Sequence, residues 1–153
     1  MEYALTKWIH ILSSTLLFGT GIGSAFYLLA ATLGRDPRTV AAVAGYVVIA
    51  DALFTATTAV IQPLTGWWMM HAVGMAFAGW LRWSVGLYVA ALACWLPVVW
   101  LQVRLRDLAR AAAARGEPLP AAYWRLFRIW VALGVPAFAA FLAIFYLMTA
   151  KPS

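Results

Sequence analysis

Few side chains in this chain can do chemistry, and most of them lie inside apolar runs. Lys7-Trp8-Ile9-His10 places a lysine and a histidine three residues apart, on one face of a helix near its N-terminal end. A neutral imidazole at that depth can ligate haem iron or relay a proton, because it is a good nitrogen ligand and titrates near physiological pH. The plainer alternative is a ring hydrogen-bonded to a neighbouring helix. Arg82, between Trp80 and Trp83, belongs to the same edge. Either Lys7 or Arg82 beside a haem propionate is favourable, a guanidinium most of all because it grips a carboxylate with two N–H groups.

Asp51 lies well inside the second apolar run, where a carboxylate is costly unless it serves as proton carrier, cation ligand or counter-charge. Asp51, Thr55, Thr58 and Gln62 follow one another at spacings of four, three and four, so they form one polar stripe that must face protein or water. The alternatives for Asp51 are an interfacial position, or a protonated acid hydrogen-bonded to the first helix near Thr20.

His71 is the only other histidine, and a bis-histidine haem needs both rings at one depth. The turn at 33–38 pairs levels of the first two helices so that Gln62 falls beside His10. His71 is then roughly 13 Å too far along, at about 1.5 Å per residue, unless Pro63 and Gly66 break the helix. His71 reads as an interfacial residue, and Met69 or Met70 as a second haem ligand stays open. Gly19 and Gly23, four apart, form a small-residue groove for close helix packing rather than a dinucleotide loop. Cys94 has no basic neighbour and reads as a small buried apolar residue, which excludes a disulfide framework or thiolate zinc cage. No Ser-His-Asp set, phosphate loop or paired carboxylates can be assembled.

The elements that position these groups follow from composition. Of 153 residues, 65% are hydrophobic and 10% charged, against about 25% charged in a soluble domain. The mean hydropathy is +0.87. At roughly 20 apolar residues per crossing, the runs divide into four spans that use nearly the whole chain as one unit, residues 1–153. The expected fold is an all-α membrane protein, four transmembrane helices at about 5–32, 39–71, 80–110 and 123–148 in an up-down-up-down antiparallel bundle. A tight hairpin is expected over 74–79, and Gly116 and Pro118 should stop the third helix.

Arg35, Arg38, Arg104, Arg106, Arg110, Arg115, Arg125 and Arg128 fall on one side, while Lys7, Arg82 and Lys151 fall on the other. That asymmetry puts the arginine-rich loops in the cytoplasm and both termini outside, in a bacterial inner membrane. Trp67, Trp68, Trp80 and Trp83 then make an outer aromatic belt, and Trp100, Trp124 and Trp130 sit towards the inner one. The net charge of +6 comes from loops beside spans, so anionic lipid headgroups, not nucleic acid, are the expected partner. Arg104, Arg106 and Arg110 form that lipid face, or a face for docking a partner.

Ala50-Asp51, Phe54-Thr55, Gln62-Pro63-Leu64-Thr65-Gly66, Leu96-Pro97 through Gln102 with Arg104 to Asp107, and Leu147 to Pro152 resemble a bacterial integral membrane family filed as a domain of unknown function, DUF twenty-two sixty-nine. The resemblance covers almost the entire chain and implies four membrane helices without an assigned activity. Lys7 and His10, with Gly19, Gly21 and Phe26-Tyr27-Leu28, are similar to the first helix of the haem-binding protoporphyrinogen oxidase and, more loosely, of copper-resistance D membrane proteins. That similarity implies a cofactor ligand at His10. The chain departs at Arg82, where the oxidase pattern would have a second histidine.

Three functions are compatible with these residues. One is a small haem-b redox protein or redox subunit, with His10 on the iron and Lys7 or Arg82 on a propionate. Another is a non-catalytic scaffold or accessory subunit, as a homodimer or with a membrane partner, docking through the Gly19 and Gly23 groove and the arginine face. The third is a proton- or ion-coupled carrier using Asp51, Thr55 and Gln62.

Overall fold

The computed structural model describes residues 1–75, 77 and 79–152. Four long helices account for almost all of them: α1 (Glu2–Leu33), α2 (Pro37–Ala72), α3 (Gly79–Arg115) and α4 (Ala121–Ala150), each long and apolar enough to cross a membrane. All run past the expected bounds, by one to five residues at each end. At 30 to 37 residues they exceed the roughly 20 residues that a straight crossing of a hydrocarbon core about 30 Å thick requires, so their ends project or they tilt.

The ends are made by local chemistry. Asp36 caps α2: its carboxylate accepts from the Arg38 and Thr39 amides at 3.3 and 2.9 Å, with Pro37 in the first turn, where a missing N–H costs nothing. Gly116, at φ +64°, closes α3, with its own amide donating to Ala113 O and the Glu117 amide to Ala112 O. Gly74, at φ +60°, ends α2 in the same way through Met70 O and His71 O. The hairpin expected over 74–79 includes Ala76 and Ala78, which lie outside the described residues.

Two interruptions shape α2. Over Asp51–Thr55 it widens into a π-helical turn, in which the Ala56 amide reaches back to Asp51 O. The helix continues through Pro63, which lacks the N–H that would bond Ala59 O. The Tyr88 hydroxyl of α3 donates to that freed carbonyl at 2.6 Å, so a neighbouring helix repairs the proline's deficit.

Helix α1 lies along α2, α2 against α3, and α3 against α4, whereas α1 and α4 scarcely approach. Phe18 bridges that last seam by stacking on Phe138 at 5.7 Å and meeting Phe145 edge-on at 5.2 Å. At the arginine-rich end Thr32 and Tyr123 share a buried hydroxyl hydrogen bond of 2.7 Å. The apolar core gathers at that end, from Leu28, Val40, Ala44, Val47, Leu105, Tyr123, Phe127 and Trp130. Trp130, expected at an interface, is buried there, stacked on Phe127. The core-facing stripe of α4 recurs there at three- and four-residue steps, and Trp130 falls on it after Tyr123 and Phe127. The large side chains on the outer surfaces remain exposed, as a lipid solvent requires.

Candidate functional site

The polar side chains of the membrane segments gather in two clusters on α2. The first joins α1 to α2. His10 Nδ1 lies 2.7 Å from Thr65 Oγ1, and His10 Nε2 lies 3.2 Å from the Gln62 amide nitrogen. Thr65 donates its own proton to Ile61 O at 2.8 Å. The ring therefore donates from Nδ1 to Thr65 and accepts at Nε2 from Gln62, a neutral tautomer assigned from its partners. Ser13, buried, hydrogen-bonds both Gln62 Oε1 and the His10 carbonyl. Gly66 supplies the clearance: a Cβ there would come within 3.3 Å of His10 Cε1. The register that pairs His10 with Gln62 is the one the short α1–α2 turn dictates.

The second cluster lies deeper. Asp51 is 4% exposed and accepts at 2.9 Å from the hydroxyl of Thr55, four residues on within the π-helical turn. From α3, the Gln102 amide and Trp95 indole sit beside the same carboxylate. Trp95 Nε1 and Gln102 Oε1 are buried without a hydrogen-bond partner of normal geometry. Thr58, buried one turn on, donates to Phe54 O at 2.5 Å. The stripe of Asp51, Thr55, Thr58 and Gln62 thus faces protein, as its spacing requires. Asp51 turns towards α3, not towards Thr20 or an interface.

Other expected groups lie elsewhere. Lys7 and Arg82 are exposed, and α1 and α3 share no extended packing, so Arg82 is not brought against Lys7 and His10. His71 bonds Trp67 O at 2.9 Å and packs on the Trp67 ring, without approaching His10. Cys94 is half-buried. Gly19 and Gly23 pack no helix of this chain, since a Cβ at either would meet nothing within 4 Å. Arg106 pairs with Asp107 at 2.9 Å, Arg104 lies over Trp100, and Arg110 rests against α2 at Gly45. Among the described residues no three His, Cys, Asp or Glu side chains come together as a metal site.

For haem, the donors fit in part. An Nδ1–H anchored on Thr65 is how ligating histidines are oriented, and it leaves the lone pair on Nε2. That lone pair is already taken by Gln62.

Trp95 and Gln102 are the site residues that sequence reading missed. Gln102 carried a signal, being a lone amide in an apolar run that the α2–α3 hairpin sets level with Asp51. Trp95 carried none.

Helices of this length and apolarity, holding a buried carboxylate and an anchored histidine within their span, define a polytopic integral membrane protein with an internal polar site. The chain belongs to the family described as predicted integral membrane protein, DUF2269, which matches residues 4–152. No curated protein and no solved structure matches it.

Proposed function

We infer that this protein is a proton carrier of the bacterial inner membrane, or the proton-carrying subunit of a larger assembly, with Asp51 as the group that takes up and releases the proton. The carrying observation is the Asp51 carboxylate, buried inside the apolar thickness at a π-helical turn and surrounded by Thr55, Gln102 and Trp95. Such turns recur at functional sites in helices, and an intramembrane carboxylate marks a proton or ion path by default.

The path runs along α2. His10 sits nearest the end with the termini, and Thr58 and Thr55 carry hydroxyls that can accept one proton and pass on another. On the other side of Asp51 the face is apolar, closed by Val47, Ala44, Val40 and Leu105. Asp51 therefore exchanges protons with the end that carries both termini, which the lysine and arginine distribution assigns to the outside. Delivery to the opposite side requires the apolar core to open or a partner to accept.

The test is proton uptake by vesicles containing the purified protein and a pH-sensitive dye, driven by a potassium diffusion potential. Uptake should exceed that of empty vesicles and fall at least tenfold to background in Asp51→Asn, with His10→Leu slowed and not abolished. An Asp51→Asn rate equal to wild type overturns the reading, and wild-type uptake equal to that of empty vesicles overturns carriage by this chain alone.

A second reading, haem b on His10, is supported by the Thr65 anchor that leaves the Nε2 lone pair for a ligand. Bound there, haem would supply one-electron transfer, with Gln62 displaced from the nitrogen it now donates to. A Soret band absent from His10→Ala would support it, and a colourless protein from haem-replete cells would dismiss it.

A further inference from the structure

An elongated groove of about 570 Å³ runs between α1 and α2, outside both polar clusters. Leu16, Gly19 and Gly23 of α1 and Val47 and Phe54 of α2 line it, and Tyr27 and Tyr46 stand towards its arginine-rich end. Its α1 wall extends from Thr15 to Tyr27, about 18 Å at 1.5 Å per residue. That matches about 15 Å for one leaflet of hydrocarbon, half of a core roughly 30 Å thick. A second hollow of about 270 Å³ adjoins it across Tyr46, with Gly45 in its wall and Arg110 of α3 over it.

Arg110 is what distinguishes this place. Arg106 and Arg115 are paired with carboxylates, Arg35 and Arg104 lie over tryptophans, and Arg38, Arg125 and Arg128, though without an ion-pair partner among the described residues, line neither hollow. Arg110 has no ion-pair partner among the described residues, and it lines the second hollow beside Gly45, where a Cβ would stand 3.4 Å from its Nη2. The pairing of His10 with Gln62 sets Gly45 about level with Tyr27, the arginine-rich end of the groove. An apolar channel one acyl chain long, with an unpaired cation at the level of its mouth, matches the amphipathic shape and charge of one molecule.

We propose that the hollows flanking Tyr46 are a binding site for a single anionic phospholipid of the leaflet at the arginine-rich end, with an acyl chain in the α1–α2 groove and the phosphate on Arg110. The guanidinium grips the phosphate through paired N–H groups, which a zwitterionic headgroup offsets with its own cation. Close packing of α1 against a second copy through Gly19 and Gly23 is the competing occupant.

The test is native mass spectrometry of the protein released from nanodiscs containing equal amounts of phosphatidylglycerol and phosphatidylcholine. Wild type should retain one phosphatidylglycerol in at least fivefold preference. Arg110→Gln should lose the preference while still retaining some lipid, and Gly23→Leu, whose side chain projects into open groove, should lose retention of both. Equal retention of the two lipids by wild type, or a preference unchanged in Arg110→Gln, overturns the proposal. So does a lipid-independent cross-link between copies through a Gly19→Cys variant, which would give the groove to a second protein.

Discussion

Replacing Tyr88 by phenylalanine removes one hydroxyl and leaves the ring's edge-on packing against Phe141 in place. The hydroxyl donates to Ala59 O at 2.6 Å, and Ala59 O lacks its own helical donor because Pro63 has no N–H. An orphaned buried acceptor costs about 1 to 3 kcal/mol, whereas interhelical hydrogen bonds within membranes average about 0.6 and reach about 1.7 kcal/mol. The membrane figure applies to a carbonyl within a span, so Tyr88→Phe should lose about 1 kcal/mol, a roughly fivefold change in the unfolding equilibrium. Pro63→Ala restores the amide that Ala59 O lacks. In that background Tyr88→Phe should cost less than about 0.3 kcal/mol, giving a coupling of about 0.7 kcal/mol. The assay is reversible unfolding in mixed micelles of increasing dodecyl sulfate, followed by circular dichroism for all four proteins of the cycle. Equal losses from Tyr88→Phe in both backgrounds would refute the argument that the tyrosine compensates for the proline.

Three further outcomes follow from other contacts. The Thr39 hydroxyl and amide hold the Asp36 carboxyl below the usual carboxylate range, so its capping contribution is present above about pH 3.9 and is lost as pH falls through the lowered folded value; thermal melts of wild type and Asp36→Ala should converge there and differ at neutral pH. Thr32→Val removes the partner of the buried Tyr123 hydroxyl and should cost about 1 kcal/mol in the same micelle titration, with Tyr123→Phe added to it nearly neutral. Gln62→Leu frees His10 Nε2, so the His10 resonances in a nitrogen-15 histidine spectrum should shift while those of His71, which bonds only Trp67, stay fixed.

The spans were legible because hydropathy is a sum over many residues, and the His10–Gln62 level because a short turn fixes register. The stripe from Asp51 to Gln62 was legible from spacing alone. The π-helical turn was not, since one extra residue in a helix changes phase without changing composition. Trp130 read as an interfacial anchor because a tryptophan near a span end carries no mark of which way its ring turns. Arg82 stands apart from Lys7 and His10 for a topological reason: α1 and α3 share no extended packing, so residues at one depth need not meet. Gly19 and Gly23 were seen as a groove, but sequence does not say whether a groove is filled from within the chain.

Infrared spectroscopy of Asp51 in oriented vesicles tests the central claim most directly. Wild type should give a carboxylic carbonyl band that Asp51→Asn lacks, and that band should rise and fall with pH on the side of the termini and ignore pH on the arginine-rich side. A band that is insensitive to pH at the termini, or follows the arginine-rich side instead, would contradict the account.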